Sequence, residues 1–180
     1  MLSEQKIKVF LKHPLTVALF SGILLLILTY VLESNRVDQE KRDFAKKASY
    51  DKYEKYLDEF SLAATNFYSA VENYILDMKE FKKVKFNNSY EERIWRDIQQ
   101  INFARAPLYA ALEKIKISKI VTEKEFVILI QHAIDISTLC QTRRNDRLDD
   151  IRKLLDTEFT PKKNEILYKI QQGITKIQQE

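Results

Sequence analysis

Glycine, proline, cysteine and histidine are nearly missing from these 180 residues: two, three, one and two copies. So few glycines and prolines leave almost none of the turn chemistry that a sheet-rich fold needs between its strands. The glycines stand alone at 22 and 173, which excludes a glycine-rich phosphate loop. The one cysteine, Cys140, excludes an intrachain disulfide framework. It also lies eight residues from His132, roughly 12 Å along a helix axis. A nucleophile and its base need hydrogen-bond reach of about 3 Å. The other histidine, His13, sits at the edge of an apolar run. No Glu-x-x-His motif occurs, and Asp135 three residues after His132 supplies only two ligands on one face, too few for a metal site. The sequence therefore predicts no catalytic residue, no metal and no cofactor, and the chain is read as a non-enzyme.

An excess of one charge sign is missing too. Beyond residue 32 there are 27 Lys/Arg against 25 Asp/Glu, interleaved along the chain. A nucleic-acid binder would show a dense basic face, so no nucleic-acid partner is expected.

What the sequence does have is PLTVALFSGILLLILTYVL, Pro14 to Leu32. Its 18 uncharged residues from 15 to 32 would span about 27 Å as a helix, close to a hydrocarbon core of roughly 30 Å. The run is longer than the apolar core of a cleaved signal, and Tyr30-Val31-Leu32-Glu33 offers bulk where a peptidase needs small residues. It is apolar on every face, unlike the amphipathic remainder. The expectation is a single membrane span over 15–32, with the lipid bilayer as partner, after a basic tail at 1–14. Lys6, Lys8 and Lys12 precede it; Arg36, Lys41, Arg42, Lys46 and Lys47 follow it. That count favours a cytoplasmic C-terminal domain, whereas a short basic tail before a first span is the layout of a signal anchor. The second reading is adopted: a bacterial inner-membrane protein with its C-terminal domain on the periplasmic or extracellular side.

From Val37 to Phe86 there is no glycine or proline. Apolar residues recur in steps of four and three from Tyr53 and Leu57 through Phe60, Ala64, Phe67, Val71, Ile75 and Met78 to Phe81. That spacing predicts one long helix with one buried stripe. Ser89 and Glu92 read as a capping box opening a second helix, with Pro107 kinking it. Thr122 and Glu125 read as another, opening a third helix that carries Phe126 through Leu155. Thr160-Pro161 reads as the cap and first position of a fourth. The fold class expected is all-α: a transmembrane helix followed by an antiparallel up-down-up-down four-helix bundle over 58–180, with a long first helix. Residues 33–57 read as a stalk helix, supported by Asp38/Arg42, Asp43/Lys47 and Asp51/Lys55 four residues apart. Such a stalk would lift the bundle about 35 Å and either stands alone or forms a weak parallel homodimer.

Two constellations remain. Folding the second and third helices about Lys119 brings Arg105 opposite Asp135, Asn102 opposite Ser137 and Trp95 opposite Arg144. These residues are either a polar layer fixing helix register or a pocket for a small anionic ligand. The turns at Phe81–Tyr90 and Thr157–Lys163 would share the membrane-distal tip. They would gather Lys82, Lys83, Lys85, Lys162 and Lys163 around Phe86, Tyr90 and Phe159. That tip is either a set of solvated helix ends or a docking surface for an acidic protein. The function expected is a membrane-anchored interaction or scaffold module with a protein partner, the alternative being a ligand-sensing bundle.

Overall fold

The computed structural model describes residues 14–81 and 88–179. The chain divides into two units, Met1–Ala48 and Ser49–Glu180.

The first unit is the N-terminal part of helix α1, Pro14–Phe81. From Ala18 to Leu32 every side chain is exposed, Leu26 to 72 %. α1 is long and apolar enough to cross a membrane, and none of its apolar window is buried. The hydroxyls of Ser21 and Thr29 donate to the Ala18 and Leu25 carbonyls at 3.0 and 2.8 Å. These two hydroxyls are thus satisfied by the helix's own backbone, while the ring of Tyr30 is exposed near the end of the stretch. Further on, Arg36 pairs with Glu40 at 3.2 Å. None of the three acid-before-base pairs expected along the stalk closes among the described residues; Lys55 pairs instead with Glu59 at 3.9 Å.

The second unit is a packed helical bundle. It holds the rest of α1, then α2 (Asn88–Ile117), α3 (Glu123–Gln141), a 3-10 turn (Asn145–Arg147), α4 (Leu148–Lys153), a π-helical turn (Leu154–Phe159) and α5 (Thr160–Gln179). The stripe expected on α1 is the core: Phe60, Ala64, Phe67, Val71, Ile75 and Met78 are buried. Against them pack Ile98, Ile101, Leu108, Leu112 and Ile115 of α2, Leu129, Ala133 and Ile136 of α3, and Ile151, Ile166 and Ile170 beyond. Each such large side chain contributes roughly 1.5–3 kcal/mol by leaving water.

Ion pairs record the register. Asp77 meets Arg93, and Glu59 meets Lys114 at 2.7 Å, so numbers fall along α1 as they rise along α2. Arg152 grips Glu72 with two hydrogen bonds of 2.6 and 3.0 Å, and Phe67 stacks on Phe159 at 5.1 Å.

Three boundaries depart from the sequence reading. α2 begins at Asn88, with Ser89 already inside it. The third helix does not run to Leu155. It stops at Gln141, where Arg143 takes φ 51 and its N–H closes on the Cys140 carbonyl at 3.2 Å. A non-glycine residue in that region is uncommon, which is why no glycine or proline announces the stop. And Thr160 is not a cap: with φ −62 and ψ −46 it sits inside a continuous helical run, its hydroxyl donating to the Leu155 carbonyl at 2.7 Å. The wider π turn makes room for the ring of Pro161, which would otherwise meet the carbonyl four residues back. Pro107 is likewise carried inside α2, on its exposed side.

Candidate functional site

Each candidate site residue singled out above has a definite place, except Lys82, Lys83, Lys85 and Phe86; these lie outside the described residues, as does the basic tail over 1–13 with Lys6, Lys8, Lys12 and His13. The remaining tip residues are not gathered. Phe159 is fully buried against Phe67. Lys162 is tied to Glu165 at 2.6 Å and to Glu125 at 3.9 Å, Lys163 lies 5.9 Å from the centre of the Tyr68 ring, and Tyr90 stacks with Phe81. The cause is the unbroken helical run through 157–163: it turns Phe159 into the core and leaves Lys162 and Lys163 on the side of the helix.

The polar layer is also rearranged. Ser137 is buried, but its hydroxyl turns back to the Ala133 carbonyl at 2.7 Å. Asp135 accepts from Gln131 at 2.8 Å, and Asn102 from Gln141 at 3.4 Å. The guanidinium of Arg143, not Arg144, lies over Trp95 at 3.7 Å; Arg144 pairs with Asp146. Arg105 forms no ion pair with Asp135 and has no carboxylate partner among the described residues.

A buried charged cluster escaped the sequence reading except for its cap. Glu125 closes the expected capping box with Thr122, its carboxylate accepting from the Thr122 N–H at 2.8 Å and hydroxyl at 2.9 Å. It also accepts from Lys169 of α5. Burial works to raise this carboxyl, but the bonds from Lys169 and Thr122 outweigh it and hold it down at about 2. The cluster joins α3 to α5.

The surface that could receive a partner is the outer side of α2. Phe103, Ala106, Pro107 and Ala110 are exposed at helical spacing, Phe103 to 77 %. A groove of ≈400 Å³ flanks them towards α1, lined by Leu62, Ala63, Asn66 and Ala111 and closed by the Glu59–Lys114 pair. A second of ≈400 Å³ flanks them towards α3, lined by Asn102, Arg105, Tyr109, Ile130 and Ile134. Tyr109 is held edge-on to Phe126 at 5.3 Å. An exposed aromatic between two shallow apolar grooves suits a partner helix laid alongside α2.

No protein-family model matches the chain, no curated protein matches its sequence, and no solved structure matches its fold.

Proposed function

We propose that this chain is a single-pass, membrane-anchored helical bundle that binds a protein partner as an interaction or scaffold module. One observation carries the anchor: from Ala18 to Leu32 the side chains of α1 are all exposed. So much apolar surface left in water would cost far more than a domain can spare; lipid is the solvent that suits it. The bundle is read as up-down-up-down. Asp77–Arg93 and Glu59–Lys114 support this between α1 and α2, and Trp95–Arg143 and Asn102–Gln141 between α2 and α3. Glu125–Lys169 supports it between α3 and α5. The outer side of α2 is the docking face. The C-terminal domain is placed outside the cytoplasm on the signal-anchor layout, in a bacterial inner membrane.

The anchor is tested by carbonate extraction: the full chain should stay with membranes, and a chain without residues 1–32 should be released. Release of the full chain would end this reading. For the docking face, a photo-crosslinker at Phe103 should give an adduct of one defined mass that Ala110→Glu removes without changing helicity or melting. A crosslinker at Lys153 should give none.

A second reading rests on Arg105. Because its guanidinium has no carboxylate partner among the described residues, the groove it shares with Asn102 and Tyr109 is open to a small anionic ligand, which would make the bundle a sensor. Ser137, turned to Ala133, plays no part in it.

A further inference from the structure

Ile94, Asp97, Ile98 and Ile101 share the inward side of α2, and all four are buried. Three are hydrocarbon. The fourth carries a carboxylate, is only 7 % exposed, and its Oδ2 has no hydrogen-bond partner among the described residues. A buried carboxylate oxygen without a donor is costly, and the cost falls when a donor arrives. That donor is not the neighbouring Arg93, which is committed across the helix pair. Its Nε donates to Asp77 Oδ2 at 3.1 Å, its Nη2 donates to Asp77 Oδ1, and Nη1 lies 3.7 Å from Glu80.

Asp97 lines an open depression of ≈290 Å³ between α1 and α2, with Asn73, Asp77, Arg96 and Gln100. Arg96 is exposed and in no ion pair among the described residues. With Asp77 held by Arg93, the depression presents the Asp97 carboxylate, the Arg96 guanidinium and two side-chain amides. Two carboxylates are too few for calcium, which takes six to eight oxygens. An anion alone would face Asp97, and an apolar molecule would bury none of these polar groups favourably. The volume is at the small end of ligand pockets, roughly 300–1,000 Å³, which suits a molecule of a few carbons and excludes a nucleotide.

We propose that this depression binds an α-amino-acid zwitterion, its ammonium donating to Asp97 and its carboxylate accepting from Arg96. Asn73 and Gln100 complete the polar lining. Burial, and then the charge and hydrogen bonding of Asp77, push the Asp97 carboxyl up to about 6, so at pH 7.5 it is ionised and able to accept a cation.

The test is a melting-shift titration of the full chain in detergent micelles at pH 7.5. The probes are the standard L-amino acids at millimolar concentration, pooled and then singly. At least one should raise the melting temperature saturably. Its N-acetyl derivative, which lacks the ammonium, should not, and the corresponding primary amine should bind more weakly. Asp97→Asn should remove the shift while leaving a well-folded chain, since it relieves a buried charge rather than removing a contact. Arg96→Gln should weaken binding about tenfold, as the loss of one charge-assisted hydrogen bond does. No shift with any amino acid, a shift that survives Asp97→Asn, or an equal shift with the N-acetyl derivative would each overturn the proposal.

Discussion

Gly173 of α5 lies beneath the ring of Tyr53 of α1: a methyl group built on its Cα would come within 2.1 Å of Tyr53 Cε1. Glycine inside a helix costs about 1 kcal/mol relative to alanine, so Gly173→Ala should stabilise an isolated helix. In this bundle the ring must move instead, and overpacking costs about 1–3 kcal/mol. Gly173→Ala should therefore melt lower than the parent, and Tyr53→Leu should recover part of the loss. The double-mutant cycle should show coupling of at least about 0.5 kcal/mol. A Gly173→Ala chain that melts higher would mean the two helices do not meet here.

Glu125 should behave as a buried acceptor. Glu125→Gln weakens the Lys169 and Thr122 bonds together and should cost about 1.5–3 kcal/mol. Its folded carboxyl is held at about 2 against an ordinary 4.5, so its contribution is fully present above pH 4.5. It fades as pH falls from there towards 2. An acid titration followed by circular dichroism should lose that step in Glu125→Gln; an unchanged acid transition would refute the assignment.

Asp97 should show the opposite sign. The unfolded chain keeps this proton only below about 3.8, the folded chain up to about 6. Between those values the folded state holds more protons, so stability grows as pH falls through that window and is lowest above it. Burial is the main cause, Asp77 of α1 adds to it, and Arg93 and Arg96 of α2 work against it. Asp97→Asn should melt about 2–4 °C higher at pH 7.5, for about 1 kcal/mol, and the gain should vanish below pH 4. A lower melting temperature at pH 7.5 would show that the carboxylate is satisfied after all.

Cys140 should be inert while the bundle is folded. It is fully buried, and burial pushes its thiol up to about 12. The Tyr74 hydroxyl donates to its carbonyl at 2.8 Å, holding the end of α3. A disulfide reagent at pH 8 should label it only through opening of the fold. Tyr74→Phe, at a cost of about 1 kcal/mol, should speed labelling about fivefold. Rapid labelling of the parent chain would contradict this burial.

The long α1 stripe and the Thr122–Glu125 cap were legible because each is a local rule read at fixed spacing. The polar pairings were not, because an error of one residue turns a side chain by about 100°. Trp95 therefore meets Arg143 instead of Arg144, and Arg105 lines a groove with Ile134 instead of pairing with Asp135. The stop after Gln141 had a signal that glycine-and-proline reasoning passes over: no apolar residue occurs between Cys140 and Leu148. Asp97 had one as well. It occupies the inward slot of the Ile94, Ile98, Ile101 pattern, where a carboxylate contradicts its neighbours. Thr160-Pro161 misled because a proline just past a π turn looks, in sequence, like a proline at a helix start.

That π turn sets where the chain can change length. Leu148 and Ile151 before it, Leu155 and Phe159 within it, and Ile166, Ile170 and Ile174 after it are all buried. At 3.6 residues per turn a regular helix would carry Ile174 about 140° round from Ile151. A π turn takes up roughly one extra residue and brings the second group back by about 100°. Deleting one residue within 154–159 would convert the turn to ordinary α-helix and keep both groups facing inward, but it would press the ring of Pro161 on the carbonyl four residues back, so it should be tolerated only together with Pro161→Ala. The same deletion between Ile166 and Ile174 would swing the residues beyond it out of the core. Within the helical run from Leu148 to Gln179, losing a residue at the π turn thus preserves the facing of both buried groups, and Pro161 is what opposes that loss.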